Sequence, residues 1–122
     1  MVGRLVFLVS AIAALSLSAC GGDDDDGGVD CSMSTVTYTN FGESFFSNHC
    51  LECHDSAKSG SDRNDAPDDV NFNSLEMVEM HSSRVRARAG TGSSMPPSSA
   101  ASTPSQSERD MLAEWIECGL PE

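Results

Sequence analysis

Cys50, Cys53 and His54 are the residues whose types and spacing point most directly to chemistry. They stand in Cys50-Leu51-Glu52-Cys53-His54, a C-x-x-C-H arrangement, the spacing used for covalent attachment of a c-type haem. Two thiols three positions apart reach the two vinyl groups of one porphyrin and form thioethers. The histidine beside the second thiol then sits under the iron as its proximal ligand. Two other chemistries use similar residues. A thioredoxin-like redox pair also has C-x-x-C, but it opens a helix after a strand, and no βαβ pattern surrounds this motif. A zinc site would take Cys50, Cys53, His54 and His49, yet the usual second ligand pair at metal-site spacing is missing. Haem attachment is the leading reading.

The elements around the motif read as helices. Phe41, Phe45, Phe46 and Cys50 fall at helical spacing, with Asn40 as the expected N-cap, so the motif closes a first helix. A second helix is expected over residues 75–89, capped by Asn73 or Ser74 and stopped by Gly90. Its apolar side is Leu75, Met77, Val78 and Val85, a weaker stripe. The third carries the clearest signals: Ser105-Gln106-Ser107-Glu108 fits a capping box, Met111, Leu112, Trp115 and Ile116 make a face, and Gly119 then Pro121 end it. Thr35 to Thr39 is a short extended candidate at most. Residues 55–71 are polar, acidic and without periodicity, and residues 91–104 are rich in Ser, Gly, Ala and Pro; both read as loops. The expectation is an all-α domain of about three main helices and long loops around one covalently bound haem. Two such long loops need a reason to be ordered.

With these residues in view, the chain resembles the bacterial monohaem c-type cytochromes with a His/Met-ligated iron. Gly42 lies eight residues before Cys50 and Phe46 four before it, similar to the glycine-and-aromatic spacing of that family's N-terminal helix. Leu112 and Trp115 resemble the apolar-and-aromatic pair of its C-terminal helix. The run Arg84-Val85-Arg86-Ala87-Arg88, then Gly92, then Met95-Pro96-Pro97 resembles the approach to its methionine ligand. The likeness covers residues 31–121. It implies a cytochrome c-like fold in which the first and last helices cross closely at a glycine, and an electron-transfer function. Two features depart from the family: Ser93 and Ser94 separate Gly92 from Met95, and the acidic loop after His54 has no family counterpart.

Met95 is the expected sixth ligand. Met111 belongs to the third helix's apolar face, and Met77 and Met80 lie in the second helix, where methionine is usually packing. Met95 sits in a loop where no helical face explains it, and the two prolines after it stiffen the backbone that must hold a weakly ligating thioether. His81 is the main rival and would give bis-histidine ligation with a lower potential; His49 adjoins the motif and cannot easily reach the opposite haem face. Arg84 and Arg88 share a helical face while Arg86 points elsewhere. One of them could pair with a haem propionate, although favourable placement at a helix C-terminus is the simpler account.

The 122 residues suffice for one small domain. A formal charge of −12 argues against nucleic acid as a partner. With 39% hydrophobic residues, many of them near the N-terminus, the core is thin and a bound cofactor or crosslink would help it. Arg4 followed by the apolar run of residues 5–17 reads as an export signal. Leu17-Ser18-Ala19-Cys20 resembles the lipobox of bacterial lipoproteins, which implies cleavage after residue 19 and a lipid on Cys20. Gly21 in place of an aspartate leans towards the outer membrane within the cell envelope. Residues 20–30 then form the lipidated cysteine and an acidic, glycine-rich tether, and residues 31–122 the cytochrome domain. With Cys20 assigned to lipid and Cys50 and Cys53 to haem, Cys31 and Cys118 remain. They flank helices that the resemblance packs together, so a disulfide is expected, with two buried thiols as the alternative. The functional expectation is a lipid-anchored, monomeric electron carrier with no catalytic residues; Asp55, Asp62, Asp65, Asp68 and Asp69 read first as a solvated acidic loop and, as the alternative, as a guide for basic redox partners. A small haem peroxidase or a haem-based sensor lipoprotein is the alternative.

Overall fold

A computed structural model describes residues 28–122. The export signal, Cys20 and most of the tether lie outside the described residues. Among those described there is no strand, and no helix is long and apolar enough to cross a membrane.

Helix α1 opens with a π-helical turn, Tyr38–Gly42, and runs directly into the α-helix Glu43–His49. Its start is fixed by a capping box one turn earlier than expected. Thr37 Oγ1 accepts from the Asn40 N–H at 3.2 Å, and Asn40 Oδ1 accepts from the Thr37 N–H at 2.8 Å. Asn40 is therefore the inner partner of the box and not the cap. Tyr38 and Thr39 belong to the helix, which corrects the expected extended stretch over 35–39. The helix ends with Cys50 as its C-cap, so the motif does close a helix.

The expected second helix is two pieces. Helix α2, Leu75–Glu79, is capped by Ser74, whose side chain accepts from the Met77 N–H at 3.4 Å. After Met80 and His81 the chain restarts as α3, Ser82–Val85, continued by a π-helical turn, Arg86–Gly90. The weak apolar stripe accounts for the break: no residue between Val78 and Val85 is buried, so nothing holds the two turns in line. Met80 is 67% exposed there and has no place in the core, contrary to expectation. Helix α4, Gln106–Glu117, has the expected capping box, with Glu108 Oε2 accepting from the Ser105 N–H at 2.7 Å and Ser105 Oγ from the Glu108 N–H at 3.3 Å. Gly119 follows it in the left-handed region, with φ +86°.

The core gathers Phe45 and Phe46 of α1, Phe72, Val78, Val85, Ala89, and Leu112 and Trp115 of α4. The valine, leucine and phenylalanine side chains among them contribute about 1.5–3 kcal/mol each when fully buried. Met111, expected on the core face, is half-buried at its margin. Gly42 lies where α1 meets Trp115: a Cβ there would come within 2.8 Å of the Tyr38 ring and 3.4 Å of the Trp115 ring. At Gly90 a Cβ would meet the Ala113 backbone of α4 at 3.3 Å. Cys31 and Cys118 form a disulfide with Cα atoms 5.3 Å apart, as expected.

Two arginines order the loops. Arg63, in a 3₁₀ turn over Gly60–Arg63, is buried and donates to the backbone carbonyls of Asp55, Ala66, Pro67 and Val70 and to Asn71 Oδ1. That answers why residues 55–71 hold one conformation without an apolar core of their own. Arg109 of α4, also buried, does the same for residues 91–104, donating to the carbonyls of Ala89 and Met95, both at 2.8 Å.

Candidate functional site

A cavity of about 520 Å³ opens between the end of α1, the acidic loop, α3 and the loop carrying Met95. That volume falls within the range of cofactor-sized clefts. Its lining is mainly apolar, with Phe46, Val70, Phe72, Val85, Ala89, Pro96 and Pro97 among the walls. Cys50, Cys53, His54 and Met95 all line it, and so do His49, His81, Arg84 and Arg88. The fold thus brings the three residues singled out by spacing, and the methionine expected as their partner, onto one cavity from two distant stretches of chain.

The turn after α1 sets the motif. The Cys53 and His54 N–H groups donate back to the Cys50 carbonyl at 3.1 and 2.9 Å. His54 Nδ1 lies 2.9 Å from the Val70 carbonyl. A carbonyl can only accept, so Nδ1 carries the proton and Nε2 keeps its lone pair. Burial first, and the nearby Arg63 and His81 charges after it, hold the imidazole below its usual value of 6.5 despite that hydrogen bond. The ring is thus neutral at neutral pH, the form that binds a metal.

Cys50 and Cys53 are both free thiols. Burial, and then the neighbouring Cys53, push the Cys50 thiol up to about 12. A disulfide-exchanging pair needs one thiol well below its ordinary value, usually at a helix N-terminus. Here the first thiol caps a helix C-terminus and is shifted the other way, which disfavours thioredoxin-like chemistry. Among the described residues no three His, Cys, Asp or Glu side chains are gathered to hold a metal ion by themselves. Cys50, Cys53, His54 and His49 are therefore not assembled as a zinc site. Asn64, in the left-handed region with φ 48°, points its Nδ2 at Cys53 Sγ from 3.4 Å.

Met95 is 37% exposed, and its backbone is held on both sides. Its N–H donates to the Arg88 carbonyl at 3.0 Å, and its carbonyl accepts from Arg109. His81 also lines the cavity, half-buried, with its ring edge-on to Phe72 at 6.2 Å. His49 is buried with both ring nitrogens engaged: Nδ1 with Ser102 Oγ at 2.8 Å and Nε2 with Glu108 Oε1 at 3.3 Å. Those partners, rather than reach alone, take it out of the ligand set. Arg84 and Arg88 stand on the cavity wall while Arg86 turns away to pair with Glu117, the division expected from helical spacing.

Sequence reasoning missed Arg63 and Arg109. The signal available was slight: Arg63 is a lone guanidinium within a run of aspartates, and Arg109 a cation next to the acidic Glu108 and Asp110. Both look like solvated charges. In comparison with known proteins, the chain matches no family model, no curated protein and no solved structure.

Proposed function

We propose that residues 31–122 form a cytochrome c domain that carries one covalently attached haem and transfers single electrons. The observation that supports this most is that Cys50, Cys53, His54 and Met95 line one mainly apolar cavity while the His54 tautomer leaves Nε2 free. The residues fit the group: two free, cavity-lining thiols for the two vinyl groups, a neutral imidazole, and a thioether on a braced loop. Haem, when bound, supplies an Fe(III)/Fe(II) couple. Cys50 and Cys53 would anchor it, His54 and Met95 would ligate its iron, and Phe46, Phe72 and Val85 would exclude water from it. Arg84 and Arg88 are suited to the propionates. With His54 and Met95 both held to the iron, no open position would remain for peroxidase chemistry, so electron transfer is the preferred reading.

The surrounding proposals follow the same line. A lipid on Cys20 would hold the domain, as a monomer, at the cell envelope, with the outer membrane favoured. The exposed aspartates of the acidic loop would guide basic redox proteins, and transfer to such a partner should slow as salt is raised.

The test is an intact-mass measurement on the exported protein, made in cells equipped to mature c-type cytochromes, followed by a reduced-minus-oxidised spectrum. One haem increment per chain, with slow carbon monoxide binding by the ferrous form, is the expected result. A chain that leaves the cell with no porphyrin increment would overturn the proposal. Fast carbon monoxide binding would favour the peroxidase or sensor alternative.

A further inference from the structure

The Val70 carbonyl accepts two hydrogen bonds at once. One comes from His54 Nδ1 at 2.9 Å and the other from Arg63 Nη2 at 3.0 Å. Arg63 is 2% exposed, and its nearest carboxylate, on Asp68 at 3.5 Å, is 89% exposed, so its charge is balanced only at the surface. A loop staple would need the carbonyls of Asp55, Ala66 and Pro67, which Arg63 holds with its other N–H groups. The bond to Val70 reaches the residue that orients His54.

That sharing has a chemical result. A carbonyl pulling on the Nδ1 proton makes the imidazole a stronger donor through Nε2. A cationic donor on the same oxygen draws its electron density away and weakens that pull. A weaker imidazole donor stabilises the ferric iron less, which raises the potential. We propose that Arg63 is a positioning residue that sets the donor strength of His54 through the shared Val70 carbonyl, and so holds the potential of the proposed haem high. The inference rests on the haem reading of the cavity and goes beyond it, because it names a residue outside the attachment motif that tunes the couple.

Redox titration of the haem-loaded protein and of Arg63→Lys tests it. Lysine keeps the charge and loses the fork, so a change reports the hydrogen bond rather than the field of the cation. The expected result is a shift of the ferric/ferrous equilibrium of about tenfold toward ferric, about 59 mV lower for one electron. An unchanged potential in a folded, haem-bearing Arg63→Lys protein overturns the inference and leaves the haem reading standing. A wild-type chain without haem overturns both, and is recognised beforehand by its mass. If Arg63→Lys fails to fold, nitrogen-15 NMR of the ferrous wild type decides. Arg63 guanidinium protons that are resolved, slow to exchange and close to the His54 ring support the shared carbonyl. Averaged, fast-exchanging ones overturn it.

Discussion

Arg109 and Met95 illustrate how one side chain can carry another's position. The guanidinium of Arg109 donates to the carbonyls of Ala89 and Met95, tying the methionine loop to α3 and α4 together. Arg109→Met leaves both acceptors without that donor, and the buried one, on Ala89, costs about 1–3 kcal/mol when unsatisfied. Urea denaturation should register a loss of that order. On the haem reading, the weak sulfur-to-iron absorption band of the oxidised protein should also disappear at a lower temperature than in the wild type. Met95→Ala should abolish the band outright and lower the potential, while leaving the haem mass increment intact. A retained band would exclude Met95 as ligand and turn attention to His81, which lines the same cavity. The chemistry-bearing residues were legible in the sequence because cysteine and histidine at fixed spacing carry their meaning in their types. Arg63 and Arg109 were not, because their partners are mainly backbone carbonyls, which every residue has and no sequence marks.

At the level of elements, cap chemistry was the readable part and continuity was not. The box at Ser105 and Glu108 appears as expected, whereas at the first helix the sequence points to Asn40 as the cap and the structure places the cap one turn earlier, at Thr37. The break at Met80 and His81 falls where His81, Ser82 and Ser83 are weak helix formers and no buried side chain supports the turn. Glu108 gives a pH test of the readable part. Its carboxyl lies below the ordinary value of 4.5, chiefly because the Ser105 N–H donates to it, and then through the Ser105 hydroxyl and His49. A depressed carboxylate stabilises the fold above its unfolded value and loses that contribution as pH falls through its folded value. The stability gap between wild type and Glu108→Gln should therefore be present at pH 7 and close progressively below about pH 4.5. A gap that stays constant down to pH 3 in thermal melts would contradict this. Ser105→Ala should cost about 1 kcal/mol at neutral pH in the same assay.

For the molecule as a whole, a short list of eight buried apolar residues has to hold 95 described ones together, so crosslinks and cavity contents matter more than usual. The Cys31–Cys118 bridge closes a separation of 87 residues, for which chain entropy gives about 4–5 kcal/mol as an upper figure. Replacing both cysteines by serine should lower the unfolding free energy read from denaturant titration by a few kcal/mol, about the size the chain-entropy figure allows, and unreduced denatured wild type should expose no thiols from this pair. The overall helical character and this pairing were legible from periodicity and cysteine arithmetic, while the cavity's shape depends on loops whose order comes from buried arginines. The Pro121 carbonyl accepts from the Tyr38 N–H at 2.8 Å and from Trp115 Nε1 at 2.9 Å. One peptide oxygen therefore fastens the entrance of the first helix and the indole that Gly42 makes room for. Cleavage between Leu120 and Pro121 would free both donors at once, so this segment works as a latch and its resistance to proteolysis becomes a measure of whether the whole domain is shut.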